Sequence, residues 1–380
     1  MFPKLRFKEF DGDWLKLKYK DVLTIKYGKD HKSLNDGDIP VYGTGGLMRH
    51  VNKYLYDGES ILIGRKGTID KPKYINEKFW TVDTLFYTEI EESIVPLFLY
   101  QHALEVNWLG LNEATGVPSL NTTSIYNVDI SIPSKEEQTK IVTFLSAVDE
   151  KISQLTQKHE LLSQYKQGMM QKLFSQQIRF KADDGSEFGE WDEYSLDTLL
   201  SKIIDNRGKT PVTEANLEIP LIEVNAIGQR RIKYEKVSKY FSEDTFQNWF
   251  RAYLEHQDIL FSTVGNTAIC SIYTDEIKAG IAQNIVGLRA NIKLIQPTFL
   301  YYLLTEISNN QKFKSIEMQA VQPSIKVSQM IHLTFLTPCL EEQSKIANFL
   351  SSIDQKIEVV AQQIEQAKLW KKGLLQQMFV

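Results

Sequence analysis

Gly208-Lys209-Thr210 has the residue types that close a phosphate-binding loop, where backbone N–H groups and a lysine cradle an anion. Such a loop needs a glycine at 203, and Ile203 stands there. Gly43-Thr44-Gly45-Gly46 has the look of a dinucleotide-binding turn, but Met48 occupies the third glycine position, so a tight turn is the better reading. The six histidines (His31, His50, His102, His159, His256 and His332) show no metal-ligand spacing, and Cys270 and Cys339 form no C-x-x-C. There is no Gly-x-Ser-x-Gly elbow for a nucleophilic serine. There is also no Asn-Pro-Pro-aromatic tetrapeptide of the kind that holds a flipped base for amino-methylation. Catalysis by this chain alone is therefore disfavoured, and no metal or cofactor of its own is expected.

The strongest pattern is a repeat. Glu136-Glu137-Gln138-Thr139-Lys140-Ile141 opens a stretch that runs to Phe174, and Glu341-Glu342-Gln343-Ser344-Lys345-Ile346 opens its copy 205 residues later. Steps of four and three give Ile141, Leu145, Val148, Ile152, Leu155, His159, Leu162, Lys166, Met169 and Leu173. The copy gives Ile346, Leu350, Ile353, Ile357, Val360, Ile364, Ala367, Lys371, Leu374 and Met378. This is the period of a coiled-coil seam. Each copy predicts one helix of 39 residues, about 58 Å long at 1.5 Å per residue. Ser134 and Glu137 fit a capping box at the first helix start; Cys339 stands at the matching place in the second. Lys166 and Lys371 interrupt the seam at matched positions and are expected to snorkel outward near the coil ends, with contact to DNA or a partner as the alternative.

The regions between the helices repeat more weakly. Arg6-Phe7-Lys8 returns as Arg179-Phe180-Lys181, and Gly12-Asp13-Trp14 as Gly189-Glu190-Trp191. Val117-Pro118-Ser119-Leu120 returns as Gln322-Pro323-Ser324-Ile325. Short β-rich runs fall at Ile39 to Tyr42, Ile61 to Ile63 and Phe79 to Tyr87, then at Ile219 to Val224, Ile259 to Val264 and Ile281 to Leu288. Helix-like segments follow at Val95 to Val106 and Pro297 to Ile307, and Glu243 to Tyr253 reads as a helix added to the second region. The expected fold is α+β: two similar domains of mainly β body, at 1–133 and 176–338, and two helical spacers, at 134–175 and 339–380. The connections favour an antiparallel helix pair with a pseudo-two-fold axis. The organisation is circular, so the chain's ends should lie close together.

Composition sets the outer bounds. The net charge is −4 and hydrophobic residues make up 42 %. No apolar run approaches the ~20 residues that span a bilayer, and the N-terminus lacks a secretory h-region. Two cysteines suit a reducing cytoplasm. The charge balance is also what a coiled-coil scaffold with two protein-binding domains would show, and that reading stays open.

This arrangement closely resembles the specificity subunit of Type I restriction–modification systems. The resemblance covers the whole chain. Its most specific parts are Pro133-Ser134-Lys135-Glu136-Glu137-Gln138-Thr139-Lys140-Ile141 and Pro338-Cys339-Leu340-Glu341-Glu342-Gln343-Ser344-Lys345-Ile346. Ile39-Pro40-Val41-Tyr42-Gly43 and Gly64-Arg65-Lys66-Gly67-Thr68-Ile69 carry it in the first head, whereas the second head has Val264-Gly265-Asn266-Thr267 instead. The resemblance implies that each head is a target-recognition domain reading one half of a split site in double-stranded DNA. The helices would set the gap and dock two modification subunits. Those subunits would bring S-adenosylmethionine and methylate adenine. Restriction subunits, with ATP and Mg, would add the nuclease. The chain itself would supply specificity only.

Base reading needs Arg, Lys, Asn or Gln at groove edges, with Ser/Thr, Tyr and backbone N–H groups on phosphates. Under the resemblance the DNA-contact candidates of the first head are Lys29, Lys32, Tyr42, Thr44, Arg65, Lys66 and Asn121. Those of the second are Arg207, Lys209, Asn225, Gln229, Arg230, Arg231 and Lys326, with Gly228-Gln229-Arg230-Arg231 the sharpest cluster. The candidate docking seam is Ile141, Leu145, Val148, Ile152, Leu155, Leu162, Ile346, Leu350, Ile353, Ile357, Val360 and Ile364.

Overall fold

The computed structural model describes residues 3–206, 211–274, 276–319 and 321–379. Compactness divides the chain into two units, residues 1–158 with 360–380, and residues 159–359. The first holds β1 (Leu15–Lys18), β2 (Leu23–Tyr27), β3 (Ile39–Gly43), β4 (Gly46–Val51), β5 (Tyr56–Gly64), β6 (Lys73–Thr81) and β7 (Leu85–Ile90). Then come α1 (Pro96–Glu105), α2 (Thr122–Tyr126), β8 (Asp129–Ile132) and the long α3 (Lys135–Phe174). Six strands form one sheet in the order β2-β7-β5-β6-β3-β4, and β1 pairs separately with β8. The run Phe79 to Tyr87 is two strands, not one, because the chain turns at Val82–Thr84. There Leu85 N–H donates to Val82 O at 3.0 Å.

The second unit repeats this plan with changes. It holds β9 (Asp192–Ser195), α4 (Leu196–Leu199), β10 (Leu200–Ile204), β11 (Ile219–Ile222), β12 (Tyr240–Phe241) and α5 (Glu243–Trp249). These lead to β13 (Ile259–Ser262), β14 (Cys270–Ile272), β15 (Gly280–Ile281) and β16 (Ile285–Ala290). The chain closes with α6 (Pro297–Thr305), α7 (Ile307–Ser315), α8 (Val327–Met330), β17 (Thr334–Thr337) and the long α9 (Leu340–Met378). The strand matching β6 is split into β14 and β15, so the sheet separates into β10-β16-β13-β14 and β12-β11-β15. Trp80 pairs with Val41 in the first unit, and Gly280 pairs with Leu221 at the matching place. A Cβ on Gly280 would lie 2.6 Å from the Phe250 ring and 2.9 Å from that of Phe241. The Phe241 and Phe250 rings, one on each side of α5, thus occupy the space next to Gly280. The added helix expected over Glu243 to Tyr253 is shorter, ending at Trp249.

The long helices pack at both ends by burying their apolar stripe. In the first unit Ile141, Leu145 and Val148 of α3 share a core with Leu374, Leu375 and Met378 of α9. In the second, Met170 and Leu173 of α3 share one with Ile346, Leu350 and Ile353 of α9. In each unit the start of one helix lies against the end of the other, which is an antiparallel arrangement. No residue of the expected seam is fully exposed; Ile152, Leu162 and Ile357 are half-buried and the rest buried. The chain ends also meet within the first unit, where Leu5 N–H donates to Gln377 O at 3.0 Å.

Two sequence expectations are corrected here. Lys166 and Lys371 do not snorkel outward. Lys371 pairs with Asp149 at 2.8 Å and Lys166 with Asp354 at 2.6 Å, the same cross-helix bond made once in each unit. Each ammonium is largely withdrawn from water, and the carboxylate beside it offsets part of the desolvation that this costs. The capping box is only half made. Glu137 N–H donates to Ser134 Oγ at 3.3 Å, but the Glu137 carboxylate turns away to Arg6 and Trp14.

That carboxylate forms a clamp that fixes each head to its helix. Arg6 Nε and Nη2 both donate to Glu137 at 2.7 Å, and Trp14 Nε1 donates to the same group at 3.3 Å. Arg179 donates to Glu342 at 3.0 and 2.7 Å, and Trp191 at 3.1 Å. The next residue pins the helix that follows the sheet. Gln138 Oε1 accepts from Val95 N–H, and Gln343 Oε1 from Gln296 N–H, both at 2.8 Å. Each bond fills an orphan donor at the start of α1 or α6. The repeated Glu-Glu-Gln signature is therefore structural.

Candidate nucleic-acid interface

In the first head, loops far apart in sequence are knitted together by backbone bonds. Lys29 N–H donates to Thr81 O at 2.8 Å, and Val82 N–H to Tyr42 O at 3.1 Å. Arg65 and Lys66 N–H both donate to Thr84 O, at 2.8 and 3.2 Å. Leu120 N–H donates to Arg65 O and Gly67 N–H to Pro118 O, each at 2.9 Å. Gly64 is required by close approach, since a Cβ would stand 2.2 Å from Thr68 O. These bonds bring Lys29, Tyr42, Arg65, Lys66 and Asn121 to the loop end of one sheet, beside the β3–β4 turn that carries Thr44.

A groove of about 850 Å³ runs along this edge, bounded by segments 30–32, 43–48 and 82–84. Lys32 and Thr44 line it. Among the described residues Lys29, Lys32 and Lys66 have no carboxylate within ion-pair distance. Arg65 donates to Asp83 O at 3.1 Å and lies over the Tyr27 ring at 5.5 Å. Two candidates are already engaged. The Tyr42 hydroxyl donates to Glu77 at 2.7 Å, and burial with that carboxylate pushes its pKa up to about 12. Asn121 caps α2, accepting from Ser124 N–H at 2.7 Å and donating to Glu113 at 2.6 Å.

Sequence reading missed Lys73, whose Nζ would lie 3.4 Å from a Cβ on Gly46, and the groove-lining Leu47 and Met48. No local pattern marks Lys73, because the sheet register alone carries it to the turn.

The second head uses the same scaffold with other side chains. Thr263 N–H donates to Asn284 O and Ile325 N–H to Thr263 O, each at 2.8 Å; Gly265 N–H donates to Pro323 O at 2.9 Å. Gly67 and Gly265 share a left-handed backbone, with φ +91° and +81°. Thr263 therefore stands where Arg65 stands, Val264 where Lys66 stands, and Lys326 where Asn121 stands. Lys326 is exposed at the start of α8 and makes no side-chain cap. The Asn284 Oδ1 is buried at this edge without a partner, and no sequence signal pointed to it.

The tight Thr44-Gly45 turn is replaced by residues 223–239, which hold Asn225 and the Gly228-Gln229-Arg230-Arg231 cluster. Asn225 donates to Lys236 O at 3.2 Å. Ile272 N–H donates to Arg230 O at 2.8 Å, and Ile272 pairs with Ile259, at the end of β13 away from Thr263. Arg231 pairs with Glu358 of α9 at 3.4 Å, and Arg230 Nε is buried without a partner. Gln229 is exposed beside them. This cluster is thus not brought together with Lys326. Arg207 and Lys209 lie outside the described residues.

A second surface lies on the helices. Tyr165 and Trp370 occupy matched places in the repeat and are 51 % and 54 % exposed. In the first unit Trp370, Ala367 and Leu155 line a shallow groove of about 390 Å³. The indole packs against the Phe144 ring in a T-shaped pair, with centroids 6.0 Å apart. Among the described residues no group of His, Cys, Asp and Glu could hold a metal, and no helix is long and apolar enough to cross a membrane.

The family described as the Type I restriction modification DNA specificity domain matches residues 11–164 and again residues 189–369. The chain belongs to that family. The Type I restriction enzyme MjaVIII specificity subunit of Methanocaldococcus jannaschii is 26 % identical over 84 % of this chain and 76 % of its own. The putative MjaX specificity subunit of the same organism is 27 % identical over 98 % of this chain and 94 % of its own. The fold agrees with the Type I restriction–modification S subunit of M. genitalium, at a TM-score of 0.63 and 16 % identity over 100 % of this chain and 99 % of that one. A chain from a solved type I R-M system, described for its complex assembly and conformational transition, gives 0.57 at 14 % identity over 96 % and 97 %. Both specificity domains of this chain therefore carry the family's fold on its two long helices.

Proposed function

We propose that each specificity domain reads one half of an asymmetric, two-part site in double-stranded DNA, while the long helices set the gap and hold two modification subunits. The observation that carries this reading is the pair of loop edges. The same backbone bonds recur in both heads, while the side chains they present differ: Arg65 against Thr263, Lys66 against Val264, Asn121 against Lys326. A constant frame with changed polar groups is what two readers of different sequences require. In this reading the chain performs no chemistry in the cytoplasm where it acts. S-adenosylmethionine belongs to the modification subunits, and ATP with Mg to the restriction subunits.

The test is the methylated motif in cells that carry this chain with its partners. Exchanging residues 1–133 for another first head should change one half of the motif and leave the other half and the gap intact. A motif altered in both halves would overturn independent reading.

The matched aromatics suit the docking role, because a rigid exposed ring repeated at one place on each helix copy offers the same anchor to two copies of one partner. Trp370→Ala and Tyr165→Ala should each weaken one copy's binding by about 30-fold, as removal of a central aromatic anchor does. Native mass spectrometry should then find one modification subunit bound with either variant and none with both. Full occupancy of the double variant would contradict the placement.

A further inference from the structure

The β3–β4 hairpin ends in two consecutive large apolar side chains, and both face water: Leu47 is 55 % exposed and Met48 57 %. A β-bulge puts them there. Val41 pairs with Arg49 and Tyr42 with Leu47, so Met48 is the extra residue and has no partner in the ladder. Bulges re-aim side chains, and they gather beside functional sites. Gly43 makes room for this one, since a Cβ there would meet Met48 Sδ at 2.7 Å. Both side chains line the groove described above.

The charges around them are mainly positive. Lys32 lines the groove, Lys73 reaches Gly46, and Lys66 and Arg65 stand across the Thr84 turn. Asp30 and Asp83 are the acids of the lining. The exposed Asp30 carboxylate accepts from Lys32 N–H at 3.1 Å. An apolar tip flanked by basic side chains is matched to a surface that is apolar at its centre and anionic at its rims. The major groove of DNA is such a surface wherever a thymine places its C5-methyl between two phosphate strands. It is about 12 Å wide and admits a two-stranded β-ribbon, whose strands lie ~4.8 Å apart.

We propose that the β3–β4 tip enters the major groove and that Leu47 and Met48 pack on a thymine methyl, so that the half-site read by the first head contains a T·A pair. This rests on the DNA-reading function proposed above. Burying one methyl is worth a factor of roughly three to four in affinity.

The experiment uses the chain assembled with its modification subunits and a randomised duplex pool, amplified once with dTTP and once with dUTP. The half of the selected motif that belongs to the first head is the half that changes when residues 1–133 are exchanged. The expected result is a T in that half and roughly three- to fourfold weaker retention of the same motif when uracil replaces it. The Leu47→Ala/Met48→Ala variant should retain thymine and uracil duplexes equally, while Met48→Leu keeps the preference; both side chains are exposed, so unchanged melting temperatures are expected. A first half without thymine on either strand, or equal retention of the two pools by the unaltered protein, overturns the inference and leaves the DNA-reading function standing. Retention of neither pool overturns both.

Discussion

Glu342→Ala is expected to destabilise the second unit by about 3 kcal/mol, the low end for breaking a buried ion pair by removing one partner. The Glu342 carboxylate is fully buried and holds three donors, two from Arg179 and one from Trp191. Its removal leaves the indole N–H and the Arg179 Nε without an acceptor, while Arg179 Nη2 keeps only its bond to Gly189 O at 2.7 Å. Water reaches Arg179 in part, because its side chain is 20 % exposed, and this keeps the loss from the upper end of the range. Glu342→Gln should lose less, since its amide oxygen still accepts. Urea unfolding followed by tryptophan fluorescence reads both. A loss under about 1 kcal/mol for the alanine variant would mean that the clamp does not hold the head. Glu137→Ala should act likewise on the first unit, where Arg6 and Trp14 fill the same places.

The second large effect concerns the first head's loop edge. Arg65→Ala should weaken binding to the cognate duplex by about 5- to 150-fold, as loss of a base-edge contact does, and relax preference at one position. Lys66→Ala should weaken all sequences alike and lower the slope of log K against log salt by about 1, the signature of a lost phosphate contact. A filter-binding series over salt with cognate and scrambled duplexes separates the two. An unchanged salt slope for Lys66→Ala, with unchanged affinity for Arg65→Ala, would remove this edge from the interface.

Much of the fold was legible because helices and repeats are written in spacing. The seam from Ile141 to Leu173 and its copy can bury one stripe only as long helices, and the circular repeat called for the meeting of ends now seen between Leu5 and Gln377. What the spacing could not say is how polar groups choose partners across the fold. Glu137 read locally as a cap, yet Arg6, 131 residues away, takes its carboxylate. Lys166 and Lys371 read as seam defects, yet each has an aspartate waiting on the facing helix. The candidate interface was legible where a glycine turn marks it, at Thr44 and at Arg65-Lys66. It was not legible at Lys73, Leu47 or Met48, which reach the groove through sheet register and a bulge. In the second head the sequence cluster points to Arg230 and Arg231, but Arg231 pairs with Glu358 of α9 and Arg230 Nε is buried without a partner; the position matching Arg65 is an inconspicuous threonine. Loop side chains carry no periodicity, so only the backbone bonds around Thr263 and Asn284 identify that edge.

The clamp bears on how such a protein can change. Arg6 and Trp14 stand eight residues apart, Arg179 and Trp191 twelve, with a short turn at Gly185 taking up the difference. The sockets are alike all the same: a glutamate, then a glutamine, at the first turn of each helix. Each head is thus held by the same fitting, and one moved from the first position to the second would meet the same two acceptors, a glutamate and a glutamine one turn into the helix.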